Sequence, residues 1–363
     1  MTPAIKVLVV DDSAIVRKLL SDTLSAEPDI EVVGVAPDPY VARDKILRLN
    51  PDVLTLDIEM PRMDGLTFLN TLMQFRPIPV IVISSLGQAS SRTALEALQL
   101  GAVDVLAKPG GPYSVGDLRN DLPQKVRAAA RAHIAPAKPP APTPVANPAP
   151  VAPRQPHARV SLRPASRSDN LILIGASTGG TEAIREILCA LPENSPPIVI
   201  VQHIPAVFSR AFADRLDQIC RIRVREAAHD DVVAHGVALI APGNRHILLK
   251  RAADGFRVVL DDGPRVCYQR PAVDVLFESA APHAGPNFTA ALLTGMGSDG
   301  AEGLLKLNRA GAHTIAQDES SCVVFGMPRE AIAIRAVTEV VPLGDIPAHI
   351  LRIAAPTTEA ATS

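Results

Sequence analysis

Short apolar runs alternate with amphipathic segments over the first 130 residues of the chain. Five runs are apolar on both faces, which is typical of strands in a parallel sheet covered on both sides. They lie at residues 5–10, 31–35, 53–56, 80–84 and 103–106. A helical period of apolar positions marks residues 13–26, 39–49, 65–75, 90–100 and part of 115–131. This order predicts five β-α units, an α/β fold with its ligand site at the carboxyl ends of the strands.

The same alternation returns after residue 170. Residues 171–176 form a buried-type strand, and a glycine-rich turn joins it to a helical segment at residues 181–190. Apolar runs at residues 198–201 and 288–294 predict further strands, and a helix is expected near residues 301–307. The second part is therefore predicted to be a doubly wound parallel-sheet α/β domain.

The proline content divides the chain. Of its 34 prolines, ten lie between Pro136 and Pro164, where they alternate mainly with alanine. Such a stretch has too few large side chains to offset its chain entropy, so it is predicted to be a flexible linker. The predicted division is a first domain at 1–122, the linker at 123–169, a second domain at 170–354 and a disordered tail at 355–363.

Charge is unevenly distributed along the chain. Residues 121–170 have a net charge of +6, whereas residues 1–120 and 171–363 each have −4. The basic linker is interpreted as an aid to solubility, with weak attraction to an acidic partner as the alternative.

Composition also limits the cellular setting. Apolar residues make up 47% of the chain and charged residues 20%, as in ordinary globular proteins. No apolar run approaches the roughly 20 residues of a spanning helix, and no secretory leader is evident. The four cysteines (Cys189, Cys220, Cys267 and Cys322) are widely separated and are interpreted as buried, reduced thiols. We expect a cytoplasmic monomer without membrane insertion.

Reactive side chains follow four strands of the first domain. Asp11 and Asp12 follow the first strand, Asp57 the third, Ser84 ends the fourth and Lys108 follows the fifth. Three carboxylates at one sheet edge repel each other unless a divalent cation lies among them, and an oxygen-only cluster suits Mg²⁺. The added lysine and hydroxyl complete a set suited to phosphoryl transfer.

These residues give the first 120 positions a resemblance to the receiver domain of bacterial response regulators. The matching segments are 9–13 (VVDDS), 56–65 (LDIEMPRMDG), Ser84 and 108–109 (KP). The resemblance implies that Asp57 accepts phosphate from a histidine kinase, that Mg²⁺ binds at Asp11, Asp12 and Asp57, and that Ser84 and Lys108 contact the phosphoryl group. Receivers commonly have an aromatic residue where this chain has Val105, so an aromatic switch is not expected.

Three residues of the second part could form a nucleophilic site. Ser177 lies in a G-x-S-x-G turn, His203 follows the next strand, and Asp299 follows the 288–294 run. A serine hydroxyl needs a base and a group that orients the base, and these residues supply both at one sheet edge.

Other interpretations of these residues stay open on spacing alone. The glycine-rich turn is also compatible with phosphate binding, and each of the three residues could be a helix cap or loop residue. His246, His283 and His313 are competing histidines. The chain order Ser, His, Asp differs from the order in α/β-hydrolases, which disfavours that fold.

Five longer motifs resemble the catalytic domain of the chemotaxis-type protein-glutamate methylesterase (CheB) family over nearly all of residues 170–350. They are IGASTGG at 174–180, VQHIP at 201–205, RPAVDVLF at 270–277, LTGMGSDG at 293–300 and QDE to MP at 317–328. The order receiver, linker, esterase also matches that family. Departures are modest, such as Val207 where the family often has glycine.

The resemblance implies roles for specific residues. Ser177 is the nucleophile, His203 the general base and then acid, and Asp299 the group that orients His203. Met296 supplies the backbone oxyanion donor and Thr178 lines the site. The implied substrate is a glutamate 5-methyl ester on the cytoplasmic helix of a chemoreceptor, with deamidation of selected glutamines as a companion activity. No cofactor is expected for ester hydrolysis.

A response regulator with a non-catalytic binding output domain is the alternative function. A DNA-binding output domain should carry a basic stripe, yet residues 171–363 have a net charge of −4 and the chain has no tryptophan. We therefore expect no nucleic-acid partner.

Overall fold

The computed structural model describes residues 3–60, 63–85, 87–110, 115–134, 170–253 and 255–354. Most of the predicted linker, from residue 135 to 169, and the predicted tail at 355–363 lie outside these residues. Within the described ranges, no helix is long and apolar enough to cross a membrane.

The first domain contains the predicted five β-α units. Its parallel strands have the spatial order β2-β1-β3-β4-β5. They are β1 (Ile5–Val10), β2 (Ile30–Ala36), β3 (Val53–Asp57), β4 (Val80–Ser84) and β5 (Asp104–Ala107). The helices are α1 (Ala14–Ser25), α2 (Pro39–Leu49), α3 (Gly65–Phe75), α4 (Gln88–Gln99) and α5 (Val115–Ala129). Every residue of β3, β4 and β5 is buried, as expected for strands covered on both faces.

Local signals fix where the first helices begin. The side chains of Ser13, Asp38 and Asp64 each accept a hydrogen bond from a backbone N–H in the first turn of α1, α2 and α3, respectively. These side chains satisfy donors that a helix start otherwise leaves unpaired. The turns that follow β1 and β3 are therefore set by the same short segments that carry the acidic residues.

Helix α5 crosses the predicted domain boundary at residue 122. Leu122, Val126 and Ala129 are fully buried and belong to the apolar core beneath the first sheet. Because this buried stripe continues with a helical period, the helix runs on to Ala129, seven residues beyond the expected end of the domain.

The second domain is built on a seven-stranded sheet with the order β14-β13-β12-β6-β7-β9-β8, in which all neighbouring strands are parallel. Its strands are β6 (Leu171–Ala176), β7 (Ile198–Gln202), β8 (Arg223–Glu226), β9 (Val237–Ile240), β12 (Phe288–Leu292), β13 (His313–Gln317) and β14 (Glu339–Val341). The antiparallel pair β10 (His246–Ala252) and β11 (Gly255–Asp261) forms a separate hairpin.

Helices cover both faces of this sheet. They are α6 (Gly180–Ala190), α7 (Ala206–Ile219), α8 (Val273–Ala280), α9 (Ala301–Arg309), α10 (Met327–Ala333) and α11 (Ile346–Ala354). The predicted doubly wound α/β class is thus confirmed. The connections leave β6 toward β7 on one side, whereas β12 pairs with β6 on the other. The strand order therefore reverses at β6, the position where sheets of this kind form a ligand crevice.

The two domains pack against each other through α4 and α7. The Ser91 hydroxyl donates to the Val207 carbonyl over 3.1 Å, and Gln99 accepts a hydrogen bond from Arg215. Beyond α5, the His133 N–H donates to the Val323 carbonyl over 2.9 Å. Val207, the position where the family often has glycine, therefore lies in the domain interface.

Candidate active site between the two domains

Ser177 lies in a tight turn between β6 and α6. The Ser177 N–H donates to the Thr294 carbonyl over 3.0 Å, and the Ser177 carbonyl accepts the Gly180 N–H over 2.7 Å. Gly179 has a φ of +80°, and a Cβ atom on Gly180 would come within 2.2 Å of Gln202 Oε1. The two glycines are needed because the chain turns left-handed and the helix start packs directly on the next strand. The turn holds Ser177 at the carboxyl end of the sheet.

His203 follows β7, the neighbouring strand. Its N–H donates to the Ala176 carbonyl over 3.0 Å, which extends the pairing of β6 and β7 by one residue. Its Nε2 lies 2.8 Å from Asp299 Oδ2, and the ring is almost fully buried. Because Nε2 is bound to the carboxylate, Nδ1 is the ring nitrogen left to act as a base.

Asp299 is buried just before α9, where its carboxylate contacts the start of α8. Its Oδ2 accepts the Val273 N–H over 2.7 Å, and its Oδ1 accepts the Asp274 N–H over 3.0 Å. Burial favours protonation, but the hydrogen bond and charge of His203 and these two backbone donors outweigh it and lower the pKa of Asp299. The carboxylate is therefore charged at neutral pH and able to orient His203 and stabilise its imidazolium form.

Asp274 mirrors this arrangement. It lies in the first turn of α8, and its Oδ1 accepts the Gly303 N–H at the start of α9 over 2.7 Å. Asp299 lies just before α9 and binds the start of α8. Asp274, in α8, binds the start of α9, so the two carboxylates bind the helix starts reciprocally. Asp274 lies in the RPAVDVLF segment, where no local pattern indicates its role; only the packing of α8 on α9 shows its contact.

The structure brings the three predicted residues to one cavity of about 630 Å³, and Met296 and Thr178 line it as well. His203 and Asp299 are joined directly. Among the hydrogen bonds of the described residues, none joins Ser177 Oγ to His203, so these two share the cavity without that contact. The competing histidines lie elsewhere: His246 binds the Pro264 carbonyl, and neither His283 nor His313 lines the cavity.

The first domain forms the opposite wall of the same cavity. Its contributions come from β5 and α5: Leu106, Ala107, Asp117, Asp121, Gln124, Lys125 and Ala128. Asp104 adds a direct bond, since its Oδ2 accepts the Thr178 hydroxyl over 2.7 Å and also lies 2.7 Å from Lys125 Nζ. Thr178 follows Ser177 in the chain, so the first domain contacts the residue next to the predicted nucleophile.

The prediction that the cysteines are buried is wrong for Cys267. Cys220 and Cys322 are buried and Cys189 is half-buried, but Cys267 is exposed. It lies in a tight turn at the rim of the cavity, where both Cys267 and Tyr268 are left-handed, with φ of 49° and 64°. The expectation of a buried thiol fails here because the residue lies in a loop outside the sheet.

The acidic residues of the first domain also meet at the strand ends. Asp11 and Asp57 are fully buried, and Lys108 Nζ lies 2.7 Å from Asp57 Oδ2 and 3.2 Å from Asp11 Oδ2. Asp12 is exposed at the rim. Oxygens of the three carboxylates lie within 4.8 Å of one another, a donor set that suits a divalent cation.

Electrostatics supports a cation at this cluster. Burial, together with the Asp57 carboxylate, raises the pKa of Asp11. Burial also raises the pKa of Asp57, although the hydrogen bond from Lys108 acts against it. Burial is the largest cause of both pKa shifts, and a divalent cation bound among these carboxylates would oppose it by favouring their charged forms. Ser84, the remaining predicted residue, is fully buried, and its hydroxyl donates to the Ser90 carbonyl over 3.3 Å.

The fold and the site define a two-domain class of protein, a receiver joined to an α/β domain with a Ser, His and Asp site. Comparison with known families gives the same division: residues 7–117 match the response regulator receiver domain, and residues 172–350 match the CheB methylesterase domain. The chain belongs to the CheB methylesterase family.

Full-length relatives support this assignment. The protein-glutamate methylesterase/protein-glutamine glutaminase 2 of Syntrophus aciditrophicus is 54% identical over 350 residues, covering 96% of this chain and 99% of the relative. Protein-glutamate methylesterase/protein-glutamine glutaminase 1 of Geobacter metallireducens is 52% identical and covers 96% of each chain. The crystal structure of the Thermotoga maritima CheB methylesterase catalytic domain has a TM-score of 0.50 at 38% identity, covering 51% of this chain and 98% of that one.

The buried carboxyl of Asp274 generates a prediction about pH. Burial, assisted by the charge of Asp299, raises its pKa from 3.8 to about 6. The folded protein then binds more protons than the unfolded chain between about pH 4 and pH 6, so this group lowers stability as pH rises through that range. Asp274→Asn keeps an acceptor for Gly303 without the charge. We expect the unfolding free energy of the variant, relative to wild type, to increase from about pH 4 to 6 and then level off.

Urea unfolding followed by circular dichroism at several pH values measures this difference. The exposed Asp214→Asn, on α7 of the same domain, is the matched control and should show no such slope. A difference between Asp274→Asn and wild type that is constant with pH would show that folding does not raise the pKa of Asp274.

Proposed function

We propose that this protein hydrolyses glutamate 5-methyl esters on chemoreceptors, under control of phosphorylation at its receiver domain. The observation that carries the proposal is the Asp299–His203 pair beside Ser177 in a cavity whose other wall is the receiver. The names of the relatives support this substrate class and add deamidation of glutamine side chains. Since the proposed substrate segment is the cytoplasmic part of a receptor, we place the enzyme in the cytoplasm.

The proposed reaction proceeds through an acyl-enzyme. Ser177 Oγ attacks the ester carbonyl while His203 accepts the hydroxyl proton, and the charge of Asp299 stabilises the resulting imidazolium. The tetrahedral intermediate collapses, its C–O bond to the methoxy group breaks, and His203 gives the proton to the leaving oxygen to form methanol. Water then attacks the acyl-enzyme, losing a proton to His203. The bond between the acyl carbon and Ser177 Oγ breaks, His203 returns the proton to Ser177 Oγ, and glutamate is released.

Two further residues are assigned to this step. The backbone N–H of Met296 is proposed to bind the developing oxyanion, since Met296 lines the cavity close to the serine turn. Thr178 lines the same cavity with its hydroxyl held by Asp104 of the receiver. With a glutamine substrate the same sequence releases ammonia in place of methanol. The proposal requires no cofactor for hydrolysis.

In the receiver, we assign Asp57 as the phosphate acceptor from a histidine kinase. Asp11, Asp12 and Asp57 would hold Mg²⁺, which neutralises carboxylate and phosphoryl charge in such sites. Lys108 Nζ lies 2.7 Å from Asp57 Oδ2 and Ser84 ends β4, and we assign both side chains to contact the phosphoryl group.

Strand β5 connects the two sites. Lys108 follows its carboxyl end beside Asp57, and Asp104 at its beginning binds Thr178. Val105 lies between them and is buried, so no aromatic side chain takes part. The proposed control is that phosphorylation weakens the packing of the α4, β5 and α5 surface on the catalytic domain and opens the cavity.

A response regulator with a non-catalytic output domain is not favoured. A binding domain has no need of a buried, charged Asp299 that orients a histidine beside a serine turn, because burying such a charge is costly. The net charge of −4 over residues 171–363 also gives nucleic acid no electrostatic attraction.

Removal of the proposed nucleophile tests the mechanism. Ser177→Ala and His203→Gln should each lower methanol release from a methylated receptor by about a thousandfold or more. Asp299→Asn should lower it less, because it orients the base and does not form the covalent bond. The exposed Ser320, which does not line the cavity, provides a control in Ser320→Ala. Activity retained in Ser177→Ala would eliminate the acyl-enzyme mechanism.

Receiver chemistry is tested by phosphorylation with a small phosphodonor. Asp57→Asn should accept no phosphate, because the acceptor oxygen is lost. Asp12→Ala should be phosphorylated only at much higher Mg²⁺, because one of three carboxylates near the cation is removed. Mass spectrometry of the labelled protein locates the phosphate, and its appearance on a residue other than Asp57 contradicts the assignment.

Coupling between the domains is tested at Asp104. Asp104→Asn should raise the receptor demethylation rate of the unphosphorylated full-length protein by about two- to tenfold, because a charge-assisted bond to Thr178 and the pair with Lys125 are weakened. Phosphorylation of the wild type should act in the same direction. Asp22→Asn, exposed on α1, is the matched control. Equal rates for Asp104→Asn and wild type would show that this contact does not restrict the site.

A further inference from the structure

One face of α5 lies across the candidate active site. Asp117, Asp121, Gln124, Lys125 and Ala128 line the same cavity as Ser177 and His203. Their spacings of three, four and one residues place all five on one side of the helix. The cleft beside the predicted nucleophile therefore accommodates the side of an α-helix.

Arg265 binds this helix from the catalytic domain. Its Nη2 lies 2.8 Å from Asp117 Oδ1, and its Nη1 lies 3.9 Å from Asp121 Oδ1. The two aspartates are four residues apart, so their carboxylates are one helical turn from each other. Arg265 itself lines the cavity and keeps 38% of its side chain exposed.

The loop that carries Arg265 is held in a fixed shape. Val266 and Gln269 exchange two backbone hydrogen bonds around the left-handed pair Cys267 and Tyr268. Non-glycine residues in this conformation cost free energy, so the surrounding contacts must fix the turn. Arg270 supplies such contacts, since its guanidinium donates to Asn244 Oδ1 and to the carbonyls of Asp262 and Gly263.

The two arginines of this loop differ in their partners. Arg270 is bound within its own domain. Both carboxylates that pair with Arg265 among the described residues belong to α5 of the receiver. When the receiver leaves the cleft, Arg265 loses these carboxylates, while the fixed loop keeps its guanidinium at the edge of the active site.

We propose that Arg265 recognises carboxylates on a helical substrate segment, and that α5, with Asp117 and Asp121 one turn apart, occupies the place of that segment in the closed protein. The inference rests on the proposed function and names the substrate feature that the site reads. The chemistry supplies the carboxylates, because each hydrolysed ester leaves a glutamate. A segment with several ester sites on one face thus gains partners for Arg265 as the reaction proceeds.

Synthetic helical peptides test this recognition. Each carries one glutamate 5-methyl ester, with either two glutamates or two glutamines spaced one turn apart on the same face. The enzyme is the phosphorylated full-length protein with Asp117→Asn and Asp121→Asn, so that α5 offers no competing carboxylate. Methanol release gives kcat/KM for each peptide. We expect the glutamate peptide to be preferred by about fivefold, as for a partly exposed charge pair.

Variants at position 265 then assign the preference. Arg265→Gln should reduce the ratio of the two kcat/KM values to about one, and Arg265→Glu should prefer a peptide with lysines in place of the glutamates. Arg309→Gln, exposed on α9 and outside the cavity, is the matched control and should keep the ratio of the parent protein, which carries Asp117→Asn and Asp121→Asn alone. High salt should reduce the preference of the parent protein for the glutamate peptide over the glutamine peptide, because salt screens the charge pair with Arg265.

The outcomes separate the inference from the proposed function. If Arg265→Gln changes the rates for both peptides equally and keeps the ratio, Arg265 only holds the receiver, and recognition of the substrate is refuted. If the parent protein releases methanol from neither peptide nor from a methylated receptor, the proposed function itself fails, and this inference fails with it.

Discussion

The charge of Asp299 is the constraint on which the catalytic domain depends. A buried carboxylate is costly unless its oxygens are bound, and here two backbone N–H groups at the start of α8 and one histidine bind them. This requires α8 to begin beside the loop after β12, and Asp274 in return binds the start of α9. The close approach of the helices depends on Gly303, where a Cβ atom would come within 2.6 Å of Phe277 Cβ. The packing of α8 on α9 therefore fixes the position of the Asp299 carboxylate, and through it the orientation of His203.

The two domains share one geometric feature and meet at the catalytic cavity. Both domains place their candidate reactive side chains at the carboxyl ends of parallel strands. The first domain meets the catalytic site at the beginning of β5, where Asp104 binds Thr178, whereas Asp57 and Lys108 lie at the other end of that strand. The receiver contributes a strand and a helix to the wall of the catalytic cavity, and β5 leads from Asp104, which binds Thr178, to Lys108, which contacts Asp57. The contact is polar where it meets the active site and apolar where α4 packs on α7, which suits an interface that must separate.

Several features were outside the reach of sequence patterns. The helix expected within residues 115–131 is α5, which ends at Ala129; the proline-rich composition that sets the predicted boundary at residue 122 does not report how far the buried stripe of this helix continues. Cys267 was expected in a core, but loop conformation is not encoded in hydrophobic periodicity. Asp104 lies in a buried strand and has no signal of its own; its partner Thr178 is 74 positions away in the chain.

The sequence by itself determined the two α/β domains, the strands and the placement of Ser177, His203, Asp299 and the receiver carboxylates at strand ends. It did so because apolar periodicity and turn residues act locally, and parallel strands bring their ends to one edge. Only the tertiary structure decided which histidine binds Asp299, the reciprocal contacts of Asp274, and the presence of α5 and Arg265 across the active site. These are contacts between distant segments, fixed by packing and charge pairing that no local pattern records.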